Sequence, residues 1–110
     1  MSFNVIPTPE FKKLFKRLAK KYPSLKNDLS RLIEILKEKP TIGIPLGHNL
    51  FKIRMAISSK GKDKSGGARV ITFLINTDNE IFLVHIYDKS QLGNLSKEQI
   101  ILILKNAGLM

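Results

Sequence analysis

The sequence predicts an α+β domain: a small, mainly antiparallel sheet with an N-terminal helical hairpin and a C-terminal helix. Three observations predict it. Apolar residues recur at helical spacing twice before residue 40. Segments of strand character then follow one another along the chain, which pairs neighbours antiparallel. A capped, apolar helix closes the sequence. The element order is β-α-α-β-β-β-α, read as a single domain over residues 1–110, a length that suits one compact unit.

Residues 2–6, SFNVI, read as a short strand ended by Pro7. Thr8-Pro9-Glu10 is a helix start, with Thr8 as N-cap, Pro9 at the first helical position and Glu10 in the first turn against the dipole. Phe11, Leu14, Phe15, Leu18 and Tyr22 form the apolar stripe, and Lys12, Lys13, Lys16, Arg17, Lys20 and Lys21 the opposite face. Pro23 breaks this helix. Ser24 helps start a second, with Leu25, Leu29, Leu32, Ile33 and Leu36 as its stripe and Lys37 to Pro40 as its close. Residues 40–49, rich in Pro and Gly, read as a loop onto the sheet; His48 in it reads as a surface residue.

Strands are expected at about 50–57, 68–76 and 80–87. In the first, Lys52 and Arg54 point one way and Phe51, Ile53 and Met55 the other. Asn76 to Asn79 is turn chemistry, so the last two strands form a hairpin. IFLVHIY is apolar at almost every position, which predicts a central strand covered on both faces, with His85 as a strand histidine. Ser96 and Gln99 make a capping box for a helix running to Gly108.

Charge narrows the function. The net charge is +10 on 110 residues, which makes nucleic acid the leading partner class, ahead of an anionic membrane surface or an acidic protein. There is no cysteine, hence no disulfide and no thiolate chemistry. No apolar run reaches a membrane span and the first residues lack a signal-peptide pattern, so a cytoplasmic location is expected. The acids are scattered, and neither His48 nor His85 has ligand-spaced neighbours, so neither a metal site nor a cofactor is expected.

What remains is a cationic constellation. Between the first two sheet strands lies SSKGKDKSGGA, where Lys60, Lys62 and Lys64 sit among glycines and serines. Such a loop buries nothing and is expected to lack fixed order across residues 59–67. Lys52 and Arg54 precede it, Arg69 follows it, and Tyr87 and Lys89 lie near the end of the last strand. Cleaving RNA needs a base for the 2′-hydroxyl, cations for the charged phosphate and an acid for the leaving oxygen. A lysine among like charges serves as a base, and a planar arginine suits the phosphate. Metal-free RNA cleavage and simple nucleic-acid binding are both compatible with this set.

KIR followed by SKGKDKSGGARVI, and a strand ending IYDKS, resembles the RelE-type toxins of bacterial toxin–antitoxin modules, their HigB-like branch above all. KRLAKKYPSLKNDL fits the helical hairpin of that group. The resemblance implies a sheet-and-helix fold like that of microbial ribonucleases and an mRNA endonuclease acting in the ribosomal A site. It also implies a cognate antitoxin partner of the helix-turn-helix, HigA-like kind. Lys52 and Arg54 match the family's cations on the strand entering the site, Arg69 the arginine opening the next strand, and Lys89 a basic position after the last. These form the expected catalytic set. Lys60, Lys62 and Lys64 match the basic loop, and with Tyr87 form the expected RNA- and ribosome-binding set. Some RelE-type toxins stack a base on a C-terminal tyrosine; Gly93-Asn94-Leu95 offers none, leaving Tyr87 as the substitute. The alternative is a non-catalytic toxin that acts by binding, such as a ParE-like gyrase poison.

Counterion release makes one expectation measurable. Binding to RNA or ribosomes should weaken steeply as salt rises, because several lysines and arginines displace cations from phosphate. Filter binding between low and physiological salt would show it, and a flat response would mean that positive charge does not determine binding.

Overall fold

The computed structural model describes residues 2–60, 66–90 and 95–110. The chain runs β1 (Asn4–Pro7), α1 (Pro9–Lys21), α2 (Leu25–Glu38), β2 (Ile44–Gly47), β3 (Leu50–Met55), β4 (Ala68–Ile75), β5 (Glu80–Asp88) and α3 (Lys97–Asn106). Short 3₁₀ turns occupy Ser58–Lys60 and Asn76–Asp78. The strands form one sheet in the order β1-β5-β4-β3-β2, antiparallel except for the parallel β1–β5 pair. β1 joins the sheet beside β5, the strand most distant from it in sequence, and the chain passes through α1 and α2 before it reaches β2.

Local chemistry explains the helix ends. The Thr8 hydroxyl accepts from the Phe11 N–H at 3.2 Å, with Pro9 where its missing N–H costs nothing. Ser96 and Gln99 form the reciprocal capping box, at 3.1 and 2.7 Å. Ser24 differs from expectation, since its side chain caps no helical N–H. Its hydroxyl instead donates to Asp28 at 2.8 Å and accepts from the Ser59 N–H at 2.8 Å.

β2 is a strand where a loop was expected. Pro45 is tolerated because β2 is an edge. Gly47 pairs with Leu50, so His48 and Asn49 are the two central residues of a tight hairpin turn, with φ of 53° and 63°. Two successive positive φ values match the right-handed twist of the flanking strands. His48 thus holds a turn.

α1 and α2 cover one face of the sheet. Phe11, Leu25, Leu32 and Leu36 pack there on Ile53, Met55, Val70, Leu83 and Ile86. On the other face Ile100 and Leu104 of α3 pack on Leu50, Ile71 and Val84, while Leu102 stays exposed. β5 is interior, between β1 and β4, and covered on both faces as its apolar run predicts. The β4–β5 register slips between Ile71, which faces His85, and Thr72, which faces Leu83. Val84 is the extra residue. The bulge changes parity along β5: Leu83 and Ile86 both enter the α1/α2 core, and Tyr87 comes to lie on the opposite face beside Arg69.

A buried carboxylate ties α2 to the turn after β3. Asp28, 5% exposed, accepts from Ser24, from Arg31 at 2.9 Å, and from the Ser58 N–H and hydroxyl at 3.0 and 2.6 Å. Burial alone would raise its pKa, but these donors outweigh that and lower it. The expectation of disorder over 59–67 therefore fails at Ser59 and Lys60, which are fixed; residues 61–65 lie outside the described residues. Asp28→Ala should cost about 2–3 kcal/mol by stranding the Ser58 donors. Urea denaturation measures it, and a loss under about 0.5 kcal/mol, the scale of an ordinary surface change, would show that the network contributes little.

Candidate active site

Strand register assembles the site on the sheet face opposite α1 and α2. Arg54 on β3 is paired with Arg69 on β4, and Arg69 with Tyr87 on β5. Adjacent strands lie about 4.8 Å apart, so the two arginines stand side by side. Lys52 lies two residues before Arg54, on the same face. α3 packs over Leu50, Ile71 and Val84, and the cationic cleft lies beside that covered patch. The result is a cleft of about 250 Å³ lined by Ile44, Lys52, Arg54, Arg69 and Lys89. The cations expected as the catalytic set meet there, and among the described residues no carboxylate lines the cleft with them.

Arg69 is held before any ligand arrives. Its guanidinium donates to the Gly66 carbonyl at 2.7 Å. The carbonyl of Gly67 accepts from the Lys89 N–H at 3.0 Å, joining the start of β4 to the residue after β5. Gly67 adopts φ of +63°, and a Cβ there would stand 3.0 Å from the Met55 carbonyl oxygen. Only glycine meets both demands without strain. The double glycine of the sequence motif is thus the joint that brings Arg69 and Lys89 together.

The acid beside that joint went unnoticed in the sequence. Asp88 is 2% exposed at the end of β5. It accepts from the Tyr22 hydroxyl at the end of α1, from Lys60 at 3.2 Å, and from the Ser90 N–H and hydroxyl at 3.0 and 2.7 Å. Burial opposes its ionisation, but the donors, Tyr22 and Ser90 foremost, hold its carboxyl well below the usual range. The Lys60 ammonium also lies 5.1 Å from the centre of the Tyr22 ring. Burial works against its charge too, yet Asp88 outweighs this and raises its pKa.

Lys60 therefore stands apart from the loop cations with which the sequence groups it. Its charge is spent inside the protein, on a side chain only 18% exposed. Lys62 and Lys64 lie outside the described residues. Tyr87, expected to stack a base, is 6% exposed, with His85 at 6.0 Å between ring centres. It packs in the sheet and offers no open ring face. Its hydroxyl and His85 Nδ1 are buried without a hydrogen-bond partner among the described residues. Burial lowers the His85 pKa, with Glu10 opposing, and raises that of Tyr87, with Arg69 opposing. No group of three or more His, Cys, Asp or Glu suited to a metal occurs among the described residues.

This mixed five-stranded sheet with helices on both faces is the fold of a family of small toxins. The signature of the family described as "RelE toxin of RelE / RelB toxin-antitoxin system" matches residues 11–110. A double arginine-to-alanine mutant of the E. coli toxin RelE, solved in the free state, superposes with a TM-score of 0.66 at 16% identity, covering 96% of this chain and 98% of that one. The chain belongs to the RelE toxin family, the toxin half of a toxin–antitoxin module.

Linkage gives Asp88 a pH signature. Because its folded pKa is depressed, its stabilisation is complete above the unfolded carboxylate value of about 4 and is lost as pH falls toward the folded value. Asp88→Asn should cost about 2–4 kcal/mol at neutral pH, the scale of breaking a buried charged pair. The gap to the parent should narrow steadily between about pH 5 and pH 2. Denaturant midpoints across that range test this, and a gap that stays constant would mean that the carboxylate's charge does not matter.

Proposed function

We propose that this toxin is a HigB-like mRNA endonuclease that cuts ribosome-bound message without a metal and is held silent by a cognate, helix-turn-helix (HigA-like) antitoxin. The ribosome and mRNA are then its targets, and the cytoplasm its location. The observation that carries the reading is the cleft itself: Lys52, Arg54, Arg69 and Lys89 converge from β3, β4 and the end of β5 with no acid among the lining residues. A site built this way attracts phosphate, and among the described residues it has no carboxylate to hold a divalent cation.

The roles follow from chemistry and rigidity. Lys52 removes the 2′-hydroxyl proton, and the 2′-oxygen attacks the adjacent phosphorus. Arg54 and Arg69 hold the non-bridging oxygens as charge builds on them. Lys89, entering the cleft from the end of β5, protonates the departing 5′-oxygen. The strand arginines suit the transition state because they are preorganised, Arg69 by its bond to Gly66. The loop lysines Lys62 and Lys64 serve attraction to the ribosome. A ParE-like poison would need no such set of cations at one phosphate-sized cleft.

Single-turnover cleavage of ribosome-bound mRNA at saturating ribosomes separates these roles. Arg69→Ala should lose about 10²-fold in rate or more, the scale of one transition-state donor, with ribosome affinity nearly intact. Lys62→Ala should bind more weakly yet cleave near the parent rate at saturation. Full activity in Arg69→Ala would remove the arginine from the chemistry.

A further inference from the structure

A second concavity shares a wall with the cleft. It lies between α2 and the end of β3, measures about 290 Å³, and is lined by Arg31, Leu32, Ile35, Arg54, Met55 and Ser58, among others. β2 pairs with β3 only as far as Lys52, so the stretch from Ile53 to Met55 has no strand on its outer side among the described residues. Arg54 lines both the cleft and this groove.

We propose that the groove is a nucleotide subsite, taking the base of a residue next to the phosphate held in the cleft. This rests on the reading of the cleft as an RNA-cleaving site. The groove combines what a single-stranded nucleotide needs. Ile35, 48% exposed, gives the groove an apolar side chain for a base to rest on, with the core residues Leu32 and Met55 bordering it. Arg31 stands at the other side with its side chain 67% exposed. It is braced by Asp28 at 2.9 Å, so its guanidinium is oriented without being withdrawn from solvent. A planar guanidinium both stacks on bases and bonds their edges.

Continuity with the cleft decides the occupant. A strand whose phosphate lies on Arg54 has its neighbouring base within reach of the groove that Arg54 also lines. An acidic, apolar peptide is the competing occupant. The sharing of Arg54 favours RNA, since a strand passing over the outer edge of β3 at this residue borders both spaces as one continuous ligand. The groove therefore gives this toxin a base preference at one position beside the cut.

Methyl spectra of the full chain, titrated with the four ribonucleoside 5′-monophosphates and with a single-stranded RNA tetranucleotide, test this. The methyl signals of Leu32, Ile35 and Met55 should shift, to different extents for different bases. Ala56 is exposed on the groove wall. Ala56→Phe should fill the space and weaken the tetranucleotide roughly tenfold, the scale of losing one stacked base. Ile35→Ala should weaken it in the same direction, and mapped cuts should lose their preference at one flanking position. Shifts in these methyls from a protein that cleaves nothing would keep the groove and defeat the proposed cleavage. Shifts confined to Ile44 in the cleft, with the groove methyls silent for every nucleotide, would overturn the subsite and leave the cleavage reading intact. Groove shifts with an acidic peptide and none with nucleotides would also overturn it, making the groove a protein-docking surface.

Discussion

The buried carboxylate of Asp88 is the constraint on which the rest of the site depends. A chain with net charge +10 must gather its cations without letting them push the fold apart. Asp88 sits where this is hardest, at the meeting of the α1 C-terminus, the turn after β3 and the end of β5. It neutralises Lys60 and fixes Ser90, the residue after Lys89. Asp28 does the same service from α2 for Ser58. The cationic loop thus leaves β3 from positions held by two internal anions, Asp28 at Ser58 and Asp88 at Lys60. A buried carboxylate is costly unless its lone pairs are met, and here each acid receives several donors.

From that anchoring the cleft follows. The β3–β4 register sets Arg54 against Arg69, the Gly66-Gly67 joint orients Arg69, and the Gly67–Lys89 bond brings the fourth cation alongside. The bulge at Val84 turns Tyr87 to the same face, where it packs beside Arg69. The helices lie on the far side or over a different patch, leaving the cations within reach of a strand of RNA. Rigidity and access coexist because the apolar core needs only one full face of the sheet.

Much of this was legible in the sequence, for identifiable reasons. Thr8-Pro9 and Ser96 to Gln99 announce helix starts through bonds made within a few residues, and the structure has those bonds. The alternation around Lys52 and Arg54 placed both on one face, and the register agrees. β2 was hidden because Pro45 and Gly47 are usual loop residues; the sign of a hairpin was His48-Asn49, a pair able to take positive φ. The bulge shows in the sequence only as the parity change from Leu83 to Ile86. Asp28 and Asp88 were counted among scattered acids because their main partners lie far along the chain: Ser58 is 30 residues from Asp28 and Tyr22 is 66 from Asp88. Ser24 four before Asp28, and Ser90 two after Asp88, were the local hints. For the same reason Lys60 looked like a loop cation: nothing near it in sequence reveals the acid it meets.

On the proposed reading, the cation cleft on this sheet face cuts messenger RNA without a metal. Mapping mRNA 5′ ends in cells after induction tests it most directly, comparing the parent chain with an Arg54→Ala/Arg69→Ala variant expressed to the same level. Discrete cuts within codons, present for the parent and absent for the variant, are the predicted result. Growth arrest by the parent with intact message and an activated DNA-damage response would contradict the account.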